Sequence, residues 1–313
     1  MHAAVVTSFD RPPSYQEFPA PTPHGSDEEL VDVVASGLHR RVRSQADGSH
    51  YASTGELPLV PGIDGVGRML DGTLRYFALG DTTSGAMAEQ TVIDVRRSFP
   101  LPDGADPVLV AAAMNPAMSS WVALRRRIDF QAGQTVLVLG ATGSAGQVAV
   151  QVAKRLGAGR VIAAGRNPER LAALPALGAD TIVRLGDTPG LGEVAADVDV
   201  VIDYLWGQVT VDAMTAIATS RNDDSRPLTW IEVGSVAGVT AAIPSAALRA
   251  LPLQIVGSGQ GSVSTAGILA ELPALVDEIG SGALSIDARA VPLADVTHAW
   301  QGADSDVRVV LTP

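Results

Sequence analysis

The chain has 313 residues, 46% hydrophobic and 18% charged, enough for two domains with well-filled cores. Its 22 Lys and Arg against 34 Asp and Glu leave a formal net charge of -12, which argues against general affinity for nucleic acid or anionic membranes. It has no cysteine, which removes disulfides, thiolate metal sites and cysteine nucleophiles together.

The first residues, MHAAVVTSFDRPP, have neither a basic start nor an apolar signal core, and no apolar run reads as a membrane span; the expected compartment is the cytoplasm. Residues 2–8 and 29–36 read as strands joined by Pro-rich segments, and short runs at 59–70, 73–79 and 86–95 continue the pattern of an antiparallel barrel with few helices. The glycine-rich segment 60–67 suggests a bulge, a close backbone approach or a barrel corner. The main basic cluster, Arg40-Arg41-Arg43, reads as solvated. An alanine-rich stretch, 107–127, carries Met114, Met118 and Trp121 at helical spacing.

From 135 the pattern alternates, with strands near 135–140, 160–165, 181–185, 199–204, 229–234 and 253–257 and helical segments in most gaps. Six such strands predict a doubly wound parallel sheet, an α/β fold. A helix over 262–279 follows, then strands near 287–291 and 307–312 around a short helix, expected to return to the first domain. The expected domains are 1–117, 118–262 and a C-terminal segment, 263–313.

The stretch TVLVLGATGSAGQVAVQVAKRLGAGRVIAAGR, 135–166, is strand, glycine turn, helix and strand, the size of unit that holds half a dinucleotide. Gly140, Gly143 and Gly146 are spaced GxxGxxG, with Thr142 where the usual fingerprint has its middle glycine. The turn lets backbone approach a pyrophosphate, and the helix behind it aims free N–H groups at the phosphates, so Gly140, Thr142, Gly143, Ser144, Ala145 and Gly146 are the candidate cradle. A carboxylate about 20 residues on would hold the ribose hydroxyls of NAD, whereas an arginine suits a 2′-phosphate. Here Gly165-Arg166 stands at that place with no acid from 159 to 168, which points to NADP(H). Asn167 either assists through its amide or starts the next helix. Further cofactor contacts are expected at the carboxyl edge of the sheet, from Tyr204, Gly234, Ser235, Gly257 and Ser258. Trp206 is either a wall near adenine or ribose, or core.

The strings ASGLHRR (35–41), VPGIDGVGRM (60–69), GAMAEQTVI (85–93), 135–158, LGAD (177–180) and VRVVLTP (307–313) occur in an order that resembles the medium-chain dehydrogenase/reductase superfamily, zinc-independent quinone-oxidoreductase-like branch. The resemblance spans the chain. It implies a GroES-like substrate domain, an inserted Rossmann domain and a cleft between them with nicotinamide at its base, Gly257-Ser258 lying beside it. Zinc enzymes of the superfamily have metal ligands where this chain has His39, Ile63 and Asn115, and one imidazole, one alkane and one amide cannot make a three-ligand open site. No metal is expected.

What the resemblance then implies is hydride delivery from NADPH to a small electrophile, a quinone or an α,β-unsaturated carbonyl, whose own conjugation spreads the developing charge. The candidate catalytic residues are Tyr51, as proton or hydrogen-bond donor to the reduced oxygen, His39, as a hydrogen-bond partner of substrate or ribose, and Asn115. Each has a structural alternative: a packing aromatic, a satisfied buried histidine, a helix cap. The run 253–256 is expected to join two copies as a homodimer. Two other functions fit the same motifs, a non-catalytic NADPH-binding sensor or structural protein and a metal-free ketone or alcohol oxidoreductase.

Overall fold

Alternating and continuous apolar runs build two kinds of sheet. The computed structural model describes residues 1–302 and 307–313. These divide into two units, Met1–Asn115 with Leu269–Pro313, and Pro116–Ile268, where the sequence placed the junctions after 117 and 262.

The first unit begins with β1 (His2–Val5), β2 (Ser14–Glu17) and β3 (Glu28–Gly37), then α1 (Arg40–Ala46), β4 (Asp64–Arg68), β5 (Leu74–Ala78), β6 (Gln90–Asp94), β7 (Ser98–Pro100) and the start of α2 (Pro107–Val122). β3 is the hub: it pairs antiparallel with β4 and β6, and through Gly37 and Ser36 with the last strand of the chain. The glycine-rich segment is a close approach. A Cβ on Gly65 would lie 2.7 Å from the Ala35 carbonyl oxygen, and one on Gly67 would lie 2.8 Å from Val31. A register shift between Val33 and Ala35 accompanies it.

In the second unit β8 (Thr135–Leu139), α3 (Ser144–Arg155), β9 (Arg160–Gly165), α4 (Pro168–Ala173), β10 (Thr181–Arg184), α5 (Thr188–Val194), β11 (Val200–Asp203), α6 (Gly207–Ser220), β12 (Leu228–Glu232), α7 (Ser245–Arg249) and β13 (Leu253–Gly257) alternate. All neighbours pair in parallel, in the order β10-β9-β8-β11-β12-β13, the doubly wound order that reverses direction beside β8. Leu137, Leu139, Ile162, Ala164, Val201 and Trp230 form one buried core on the side of α5 and α6. α8 (Thr265–Leu269) leads out of this unit. α9 (Leu272–Gly280), β14 (Ala288–Pro292), α10 (Val296–Gln301) and β15 (Arg308–Thr312) complete the first unit, with β15 between β14 and β3.

α1 forms because Val42 and Ala46, four apart, bury one face of it. Three expectations are corrected. The arginine cluster in α1 is solvated only at Arg40, which is exposed; Arg41 pairs with Asp81, and Arg43 donates to the Trp300 carbonyl at 2.6 Å with its guanidinium 5.0 Å from that ring. The expected helix over 262–279 is two helices, since Pro273 lies in the first turn of α9, the position where proline starts a helix rather than continuing one. Finally, Pro107–Arg127 is apolar and long enough to span a membrane, with mean hydropathy 1.3, but 67% of that window is buried in the fold, as in a core helix.

Candidate functional site

The turn after β8 is built by backbone. Gly140 adopts φ 87°, and a side chain there would press on Tyr204 and Leu205. The N–H groups of Gly140 and Ala141 both donate to the Ala164 carbonyl, at 3.0 and 2.9 Å, which ties the turn to β9. A Cβ on Gly146 would run into the Gly140 carbonyl oxygen and lie 2.6 Å from the Ala141 Cα, so α3 packs against the turn only through glycine. Gly143 differs: its Cβ position has only the Gly140 oxygen within 4 Å, at 3.5 Å. It opens α3 without a side-chain cap, leaving the N–H groups of the first turn of a 12-residue helix to an external acceptor. An open cradle with unclaimed donors fits a pyrophosphate.

At the end of β9, Gly165 has a role that the sequence did not reveal. A Cβ there would collide with Thr142 Cγ2 and lie 2.8 Å from its Oγ1, so Gly165 makes room for the threonine of the turn. Arg166 beyond it is exposed. Asn167 starts the helix: its Oδ1 accepts from the N–H groups of Glu169 and Arg170 at 2.9 and 3.1 Å. With the oxygen committed, the amide NH2 is the end left for a ligand.

The carboxyl edge is organised by Asp203, fully buried at the end of β11. Its carboxylate accepts from the N–H groups of Leu205 and Trp206 at 2.8 and 3.1 Å, from the Thr210 hydroxyl at 2.5 Å and from the Trp230 indole at 2.9 Å. The bonds hold Trp206 at φ 54°, uncommon for a residue with a side chain. The Trp206 side chain is half-buried and packs partly against the core, which fits either of its two alternatives. The Tyr204 hydroxyl is 2.8 Å from Ser119 Oγ and is pushed up to about 12 by burial, so it stays neutral. The Gly234 N–H donates to the Asp203 carbonyl at 3.1 Å, with Ser235 exposed beside it. Arg127 Nε donates to the Gly257 carbonyl at 2.7 Å, and the Ser258 N–H to the Glu232 carbonyl at 2.7 Å. An acid closing an apolar strand was the signal for Asp203.

In the first unit, His39 belongs to a buried polar group. Its Nε2 lies 3.1 Å from Asp64 Oδ1, and the Tyr76 hydroxyl donates to Asp64 Oδ2 at 2.7 Å. Burial lowers the His39 pKa more than Asp64 raises it. The imidazole is therefore neutral near pH 7, and Nε2–H donates a hydrogen bond to the carboxylate rather than forming an ion pair. Nδ1 is then an acceptor, buried and without a partner among the described residues. Burial, then the Asp64 charge, raises Tyr76 well above the usual phenol range. Arg308 is pushed down to about 10 by burial, while Asp64 favours its charge. Neither Asp64 nor Tyr76 was singled out in the sequence. Tyr51 stands 75% exposed, its ring tilted against His50 at 4.2 Å. Asn115 is half-buried inside α2, just before Pro116, which removes the helix-cap alternative.

The three former ligand positions do not fit zinc. His39 Nε2 is turned to Asp64, Ile63 packs on an apolar cluster, and Asn115 offers an amide. Among the described residues no three His, Cys, Asp or Glu side chains come together as a metal site.

Fold and turn thus define a two-unit α/β protein with a dinucleotide-type sheet. A family model described as zinc-binding dehydrogenase matches residues 145–221. A probable NADPH-dependent quinone reductase, tdiC, of Emericella nidulans is 32% identical over 361 aligned positions that take in all of both chains. The NADPH-dependent alkenal/one oxidoreductase of Arabidopsis thaliana chloroplasts is 26% identical over 67% of this chain and 63% of its own. The crystal structure of a quinone oxidoreductase from Thermus thermophilus, 24% identical, shares the fold over the whole of both chains with a TM-score of 0.84. The chain belongs to the medium-chain dehydrogenase/reductase superfamily, in its quinone-oxidoreductase-like branch.

Proposed function

We propose that this protein is an NADPH-dependent, zinc-independent reductase that acts on a quinone or an α,β-unsaturated carbonyl. The observation that carries the reading is the end of β9, where an exposed arginine follows a glycine and no acid stands to hold an unphosphorylated ribose. The names of the relatives point the same way. When bound, NADPH supplies the hydride. The chain's own part is to hold and to orient. The α3 amides and the glycine turn take the pyrophosphate, Arg166 takes the 2′-phosphate, and the edge residues Tyr204, Gly234, Ser235, Gly257 and Ser258 position the remainder. His39, Tyr51 and Asn115 are the polar groups proposed to serve the acceptor. A neutral His39 offers Nδ1 as an acceptor for a hydroxyl, and Tyr51 a donor to the reduced oxygen. We place the enzyme in the cytoplasm as a homodimer; β13, at the edge of the parallel sheet, supports pairing between copies.

The test is oxidation of NADPH, with NADH in parallel, against benzoquinones, naphthoquinones, enones and saturated ketones. Acceptor-dependent loss of NADPH with quinones or enones leading is the expected result. Bound NADPH with silence across the panel would favour a non-catalytic protein, and ketones leading would make it a metal-free ketone reductase.

A further inference from the structure

The arginine after β9 has a neighbour on the next strand. Arg184, the last residue of β10, is the register partner of Gly165, and the Leu185 N–H donates to the Gly165 carbonyl at 2.8 Å, which holds the two strand ends level. Partners in register on parallel strands send their side chains to the same face, and successive residues alternate. Gly165 identifies that face, because a Cβ on it would point at Thr142 in the phosphate turn. Val183, one residue before Arg184, goes the other way, into the core with Leu191 and Ala195. Arg184 therefore leaves β10 on the side of the turn, one strand spacing of about 4.8 Å from Gly165.

Arg184 is exposed, and neither its guanidinium nor that of Arg166 has a hydrogen bond or ion pair among the described residues. The other arginines of this region are engaged. Arg160 donates to the Val194 carbonyl and to Thr181, and Arg170 has a partner. On a chain of net charge -12, two unclaimed guanidiniums thus stand at adjacent strand ends, where the adenosine end of a dinucleotide lies.

We propose that Arg184 is a specificity-determining residue that grips the cofactor's 2′-phosphate together with Arg166, one guanidinium from each strand. The inference rests on the NADPH reading above. A phosphate dianion has acceptor oxygens for two planar guanidinium forks, whereas the 2′-hydroxyl of NADH offers neither charge nor a second acceptor set.

The test is calorimetric binding of 2′,5′-ADP and 5′-AMP, and of NADPH and NADH, to the wild type, Arg166→Ala, Arg184→Ala and the double variant, with circular dichroism to confirm folding. Arg184→Ala is expected to weaken 2′,5′-ADP and NADPH on the order of tenfold. 5′-AMP and NADH should bind as before. The double variant should bind 2′,5′-ADP no better than 5′-AMP, and Arg184→Lys should recover part of the preference. A folded Arg184→Ala with the full preference would overturn the role of Arg184 and leave the NADPH reading standing. Equal loss for phosphorylated and unphosphorylated ligands would also overturn it. A wild type without any preference would remove the NADPH reading and this inference together.

Discussion

The phosphate turn of the second unit and the His39 cluster of the first solve the same problem, fixing polar groups inside a fold, by opposite means. The turn spans seven consecutive residues and works through backbone: φ at Gly140, absent side chains at Gly143 and Gly146, and the free N–H groups of α3. The His39 cluster works through side chains from residues 25 and 12 positions apart, all converging on Asp64 in a place where water does not help. The first kind of site is vulnerable where a Cβ is added. The second is vulnerable where a partner is taken away.

Substitutions can break each side of that contrast. The largest effect is expected of Gly146→Val, which drives side-chain atoms into the Gly140 carbonyl and the Ala141 Cα; backbone cannot yield there, and a loss above about 3 kcal/mol is expected. Thermal unfolding would show it as failure to fold or a fall of about 6–12 °C. An unshifted midpoint would mean that α3 does not sit so close. Next comes Asp64→Ala, which strands the Tyr76 hydroxyl and the His39 Nε2–H together, for about 2–4 kcal/mol in denaturant titration. Tyr76→Phe removes one bond and leaves the carboxylate its other partner, so about 1 kcal/mol is expected. If both variants cost the same, the cluster does not act as a unit.

The smallest effect concerns pH. His39 is held below the ordinary imidazole value of 6.5 by burial, with Arg308 and Arg41 adding to that and Asp64 opposing it. An unfolded chain then binds a proton at a higher pH than the folded one does. The stability due to neutral His39 is whole above pH 6.5 and drains as pH falls from there through the folded-state value. Unfolding midpoints between pH 7.5 and 5.5 should decline more in the wild type than in His39→Asn, and parallel profiles would deny His39 this part.

The same contrast decides what could be read beforehand. The six parallel strands and the turn are local and periodic, so the runs 135–139 and 160–165 and the glycines between them announce themselves. α1 escaped because three arginines hid the spacing of Val42 and Ala46. Asp64 and Asp203 escaped because their meaning lies in partners that only folding assembles, although each abuts an apolar strand. Arg184 is visible only through register, which pairs it with a residue 19 positions earlier.

One consequence follows from the fit of Thr142 over Gly165. A side chain at 165 needs room that Thr142 takes up, its methyl carbon and hydroxyl oxygen standing where the new Cβ must go. Thr142 must turn aside or become smaller before 165 accepts an acid, whereas exposed Arg166 next to it meets no such obstacle, so of the two positions at this strand end only 165 is tied to the turn. The threonine that replaces the usual middle glycine thereby couples the phosphate turn to the strand end that meets the ribose.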